Sequence, residues 1–110
     1  MSVNVISADM LRGNVDTFIM RVLMDGKKYG VEIKNEISQK TNNLYVPNEQ
    51  TLYSAFHRLE EMGLIVGVWG NDYIGATRKY YEITEDGIKA YEQNKRKWNN
   101  AKKLIDILIG

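Results

Sequence analysis

Apolar positions change their period along this chain, and each change predicts a new element. From Asp9 to about Met24, Leu11, Val15, Phe18, Ile19, Val22 and Leu23 recur at spacings of three and four, predicting a first helix closed by Asp25-Gly26. After a turn at Lys27-Lys28, Tyr29, Ile33 and Ile37 repeat every four residues and predict a second helix that runs out near Thr41-Asn42-Asn43. Leu44-Tyr45-Val46 reads as a short extended piece, because Pro47 disfavours helical geometry in its predecessor. A third helix then follows. Leu52, Ala55, Phe56 and Leu59 share one face, while Gln50, Tyr53, Ser54, His57, Arg58 and Glu61 cover the other. Asn48 suits its N-cap, Glu49 favours the positive end of the helix dipole, and Gly63 suits the position just past its end.

Beyond Gly63 the period becomes alternating. Leu64, Val66 and Val68 fall on one side of a strand and Ile65 and Trp69 on the other; a second β-rich run returns from Thr77 to Ile83. Between them, Gly70, Asn71, Asp72 and Gly75 supply turn formers, so the pair predicts a hairpin with a polar tip and a basic shoulder at Arg78-Lys79. Thr84 caps a final helix with Glu85 and Asp86 in its first turn. Ile88, Tyr91, Trp98, Ile105, Leu108 and Ile109 make that helix apolar over a length that nothing else in the chain can cover, which predicts a homodimer. Helix, helix, helix, hairpin is the order of a winged helix-turn-helix. The expected fold is therefore α+β, mainly α: a mobile arm over residues 1–8, a winged helix-turn-helix domain over 9–83 and a dimerisation helix over 84–110.

Composition narrows the function. A chain of 110 residues with 44% hydrophobic and 26% charged positions is an ordinary single globular domain. Its formal net charge of +1 gives no bulk attraction to nucleic acid, so any basic footprint must be local. The absence of cysteine excludes disulfides, thiol nucleophiles and thiolate metal sites, and is compatible with a reducing compartment. Neither a signal peptide nor a membrane span is legible, so a cytoplasmic protein is expected. His57 is the only histidine and has no cysteine, triad or metal-site spacing around it, so no enzyme activity, metal or cofactor is expected.

The third helix carries the chemistry. Gln50, Ser54 and Arg58 lie at i, i+4 and i+8 on its outward face, where an amide can pair with adenine and a guanidinium with guanine in a major groove. The plainer reading of such a face, taken alone, is a solvated helix surface.

Several spaced motifs bear on that choice. Leu11-Arg12-Gly13, Tyr29-Gly30-Val31-Glu32-Ile33, Thr51-Leu52-Tyr53, Arg58-Leu59-Glu60, Gly63-Leu64-Ile65, Trp69, Arg78-Lys79-Tyr80-Tyr81, Ile83-Thr84 and Gly87 together resemble the PadR family of bacterial transcriptional regulators, from about residue 11 to residue 98. The single C-terminal helix is similar to the short subgroup, which includes phenolic-acid and multidrug-responsive repressors. The resemblance implies that this helix completes a dimer and that Trp98 stands where the subgroup supplies a tryptophan to a central ligand pocket. The chain departs from the family at Gln50 and Ser54, where glycine and proline often flank Thr-Leu-Tyr, and at Ala76, where proline is common. The first departure adds two potential base readers.

The expected double-stranded DNA operator contacts are accordingly Gln50, Thr51, Tyr53, Ser54, His57 and Arg58 on the recognition helix, with Arg78 and Lys79 on the wing. Tyr53, Lys79 and the helix start at Tyr29-Gly30 would hold phosphates by hydroxyl, ammonium and backbone N–H. Arg58 could instead pair with Glu61 or Asp72. For a small aromatic effector the candidates are Trp98, Lys95, Lys102 and Val15; the basic surroundings favour neutral or anionic planar aromatics over cations. Trp98 reads equally as dimer core, and the basic run around it also suits a membrane-surface helix. The expected repressor function has as its alternative a winged-helix dimer that contacts protein without DNA.

Overall fold

The computed structural model describes residues 8–110, so all of the expected arm except Ala8 lies outside the described residues. Five helices and three strands follow: α1 (Ala8–Arg12), α2 (Val15–Leu23), β1 (Lys28–Tyr29), α3 (Gly30–Lys40), α4 (Glu49–Glu61), β2 (Ile65–Asn71), β3 (Thr77–Ile83) and α5 (Glu85–Ile109). The strands form one antiparallel sheet in the order β1-β3-β2. The architecture is mainly helical, with a small winged sheet.

The first expected helix is two. At Gly13-Asn14 the Asn14 N–H turns back to Leu11 O at 2.9 Å while Asn14 O accepts from Phe18 N–H at 3.0 Å, ending α1 and starting α2. Glycine, with its low helix propensity, permits the break within an apolar period that runs through it. The expected turn at Lys27-Lys28 is partly β1, with Lys28 opposite Tyr81 and Tyr29 opposite Tyr80. Two residues are too few to show a strand period. Gly70 and Asn71, expected in the hairpin tip, instead pair with Arg78 and Thr77 as the end of β2.

The core gathers the inward faces of α2, α3 and α4 against the sheet. Val15, Ile19, Met20, Val22 and Leu23 meet Ile33 and Ile37, the four apolar residues of α4, Ile65 and Tyr81. Phe56 is its centre, with its ring 4.6 Å from that of Tyr81 and in edge contact with Tyr53 at 5.4 Å. Asn48 caps α4 by accepting from the N–H groups of Gln50 at 2.8 Å and Thr51 at 3.3 Å. Gly63 ends the turn after it at φ 73°, a left-handed conformation that glycine adopts without penalty.

The root of α5 is pressed onto this unit. Thr84 Oγ1 donates to Gly63 O at 2.7 Å and accepts from Gly87 N–H at 3.0 Å. A Cβ on Gly87 would stand 2.1 Å from Leu64 O, so only glycine allows this approach. Tyr91 packs on the core and Asn94 Nδ2 donates to Thr17 Oγ1 at 3.0 Å, tying α5 to α2. Beyond Asn94 every residue except Ala101 is exposed.

Candidate nucleic-acid interface

Burying Leu52, Ala55, Phe56 and Leu59 orients the opposite face of α4 outward as a rigid consequence of the helical period, so Gln50, Tyr53, Ser54, His57 and Arg58 are all exposed, with Thr51 partly covered. The helix is braced from three sides. Lys34 Nζ on α3 reaches Glu49 Oε1 at 3.3 Å, Lys79 Nζ on the wing reaches Glu60 Oε1 at 3.1 Å, and Arg58 Nε donates to Asp16 Oδ2 on α2 at 3.1 Å.

These braces change the expected roles of several side chains. Arg58 pairs with neither Glu61 nor Asp72: its second guanidinium bond also goes to Asp16, whose hydrogen bond holds the arginine even more firmly protonated than usual. Glu61 lies instead beside His57, with Nε2 and Oε1 2.8 Å apart. Asp72 belongs to the wing. Its Oδ1 accepts from the N–H groups of Ile74 at 3.0 Å and Ala76 at 2.9 Å, and its Oδ2 from Arg78 Nε at 3.2 Å. Desolvation opposes the Asp72 charge, but these donors outweigh it and hold the carboxyl below its ordinary range. Arg78 also lies over the Tyr29 ring, its Cζ 5.2 Å from the centroid.

Lys79 turns back toward α4 across Gly67, where a Cβ would sit 2.3 Å from Lys79 Cε. The missing side chain on β2 is what lets the lysine cross to Glu60. At the start of α3, the Tyr29 N–H expected to meet phosphate is already donated to Glu32 Oε1 at 3.0 Å. Gly30 lies close under Tyr53, whose hydroxyl would be 3.1 Å from a Cβ there, so the α3 start and the Tyr53 hydroxyl share one place on the surface.

Other contributors had no local signal. Asp16 and Glu60 fix Arg58 and Lys79 through contacts distant in sequence. Arg12 joins Tyr45, Val46, Asn48, Gln50 and Thr51 around a concavity of about 330 Å³ beside the first turn of α4. At the wing tip Tyr73 is 97% exposed and Ile74 is also exposed, as is Trp69 on β2.

The effector candidates separate. Lys95, Trp98 and Lys102 lie exposed along one side of α5, Trp98 at 47%, whereas Val15 is 1% exposed within the protomer core. In the stripe expected to dimerise, Tyr91 packs on the protomer's own core, and Ile88, Trp98, Ile105, Leu108 and Ile109 are exposed.

Residues 19–93 match the Transcriptional regulator PadR-like family. The chain belongs to that family. A transcriptional regulator from Clostridium thermocellum has 48% sequence identity with it, covers 92% of this chain and 95% of its own, and superposes with a TM-score of 0.85. A PadR family transcription regulator from Clostridium difficile has 29% identity, with 88% of this chain and 99% of its own covered and a TM-score of 0.74. An uncharacterized protein of Lysinibacillus sphaericus is 36% identical over 104 residues, which is 94% of this chain and 95% of that protein. PadR-like proteins are regulators and not enzymes. Among the described residues no helix is long and apolar enough to cross a membrane.

Proposed function

We propose that this PadR-like protein is a cytoplasmic repressor that binds a palindromic double-stranded operator as a homodimer. The observation that carries the proposal is α4: one face is wholly committed to the core, and the opposite face presents Gln50, Tyr53, Ser54 and His57 on a helix braced from α2, α3 and the wing. In this reading Gln50 and Ser54 meet base edges, while Tyr53 and Arg78 meet phosphates. Two such helices in a dimer address half-sites about 34 Å apart, one DNA turn. The division into a DNA-binding unit over 9–83 and a dimerisation helix over 84–110 follows from the same reading. A planar aromatic, neutral or anionic, enters beside Trp98, Lys95 and Lys102 at the dimer centre and lowers operator affinity by favouring one spacing of the two helices.

One observation favours a second reading, a dimer that contacts protein by the same face. Arg58, Arg78 and Lys79 each carry an internal acid, which reduces the charge available to phosphates. The discriminating experiment is retention of fragmented source DNA by the purified protein over a salt series. Operator binding predicts a steep fall of affinity with salt, by about 0.9 logarithmic units per log unit of salt for each phosphate neutralised. Gln50→Ala is expected to relax sequence choice by about 1–3 kcal/mol at one position, and Arg78→Ala to weaken all sequences alike. Absence of any enriched site at moderate salt would leave the protein-contact reading.

A further inference from the structure

The line of α4 that points straight away from the core differs from the one that Gln50, Ser54 and Arg58 define. With Leu52, Ala55, Phe56 and Leu59 buried, the positions opposite them at about 100° per residue are Gln50, Ser54, His57 and Glu61, at i, i+4, i+7 and i+11. Arg58 lies to one side of that line and is held by Asp16. The outward line therefore begins with two neutral polar side chains and ends on a histidine and a carboxylate.

His57 and Glu61 form a pair. Nε2 and Oε1 are 2.8 Å apart, with the two side chains 76% and 67% exposed. An ionised carboxylate only accepts hydrogen bonds, so the ring nitrogen facing it carries the proton. In a neutral imidazole that leaves Nδ1 as an acceptor. Glu61 thus fixes the tautomer, and no hydrogen bond among the described residues uses Nδ1. An acceptor here meets the exocyclic amino group of adenine or cytosine in a major groove. A second proton turns Nδ1 into a donor, which meets N7 or O6 of guanine instead.

The charges around the ring leave that second proton to solvent and DNA. Its charged neighbours on α4 are Glu61, Arg58 and Glu60; Arg58 is taken by Asp16 from α2 and Glu60 by Lys79 from β3. Lys34 of α3 is bound to Glu49 at the other end of the helix. Tyr53, four residues before His57, has its ring against Phe56. His57 is the chain's only histidine and there is no cysteine, so no other side chain has its ordinary change of charge between pH 5 and 8. A carboxylate on the outward line is repelled by phosphates, and Glu61 stands in the last turn of α4, where the helix dipole also opposes it. A protonated His57 cancels that charge.

We propose that His57 is a proton-gated base reader: neutral, it selects adenine or cytosine through Nδ1 as acceptor; protonated, it selects guanine through Nδ1–H, with Glu61 deciding which nitrogen is presented. The proposal rests on the operator reading and adds to it one specificity position and one proton. Gln50 and His57 are seven residues apart, roughly 10.5 Å along the axis at about 1.5 Å per residue, so the gated base lies about three base-pair steps from the one read by Gln50. Because the guanine-bound state holds the extra proton more tightly than the free protein does, affinity for a guanine-bearing site rises as pH falls.

The duplex that wild-type protein enriches from fragmented source DNA is made in every single-base variant of one half-site, and competition binding is measured at pH 7.5 and 5.5. One position, about three base pairs from the one that Gln50→Ala relaxes, is expected to change its preference from adenine or cytosine to guanine by about tenfold. His57→Gln, whose amide does not titrate, should prefer the same bases at both pH values. Glu61→Ala, which frees Nε2, should lose the adenine or cytosine preference at pH 7.5 and keep the guanine preference at pH 5.5, a split that a merely structural pair would not give. Unchanged base preferences of wild type between the two pH values would overturn the gate and leave the operator reading intact. A gain at pH 5.5 shared by every duplex and absent from His57→Gln would overturn it in favour of a phosphate contact. A base change that persists in His57→Gln would overturn it in favour of another group. If no duplex is enriched at either pH, the operator reading fails and this proposal with it.

Discussion

α4 and α5 begin alike and end differently. Each is amphipathic and each opens on a side-chain cap, Asn48 for α4 and Thr84 for α5. α4 then buries Leu52, Ala55, Phe56 and Leu59 within its own protomer and is tied by charge to α2, α3 and the wing. In α5, glycine is the only buried residue, and from Trp98 onward its large apolar side chains are exposed, Leu108 to 83%. A helix that must present side chains in a defined pose has its packing completed at home. The end of α5, the proposed dimer contact, leaves its large apolar side chains exposed within the protomer.

The largest effect on this contrast is expected from Phe56→Ala. Removing the ring at the centre of the core should cost about 3–5 kcal/mol in denaturant unfolding, by lost transfer energy plus the cavity left between α4 and Tyr81. A loss below about 1 kcal/mol would mean that α4 is not seated as described. Gly87→Ala should come next, at about 1–3 kcal/mol, because the new methyl meets Leu64 O and Ile83 Cγ1 at the root of α5. Thermal melts of this variant would show whether α5 depends on that close approach, and an unshifted midpoint would argue that it does not.

A pH experiment probes the sheet under α4. Burial, and then the Glu60 carboxylate, push the Tyr81 hydroxyl from 10.0 up to about 12. Because the folded state holds this proton more tightly than the unfolded state does, the stabilisation is complete below pH 10 and is lost as pH rises toward 12. Tyr81→Phe should flatten the decline of unfolding free energy over that window. Tyr45 and Tyr80, also raised, should preserve part of the slope. An identical alkaline profile in the variant would show that Tyr81 is not shielded by the packing beneath Phe56.

The smallest effect is expected from Leu108→Ala measured on dilute, dissociated protomers, within about 0.5 kcal/mol of wild type. The same substitution should raise the dimer dissociation constant in sedimentation. If it destabilised the dilute protomer as strongly as a core substitution, the distinction between a helix completed at home and a helix awaiting a partner would be lost.

Much of this arrangement was legible in the residues themselves. The period of Leu52, Ala55, Phe56 and Leu59, the cap at Asn48 and the stop at Gly63 define α4 and its exposed face by interactions that span only a few positions. The same is true of the hairpin's strands and of Thr84 at the head of α5. Such signals are local because helix and strand periods, caps and turns act between near neighbours. What only the tertiary structure decided are the pairings between distant segments: Arg58 with Asp16, Lys79 with Glu60 across the space left by Gly67, and β1 with β3. The break at Gly13-Asn14 belongs with them, since the apolar period runs through it unbroken. A charged side chain within reach of several acids carries no mark of which one it will take. That choice follows from how the helices pack, and here it settled which cations of α4 and the wing are held by internal acids.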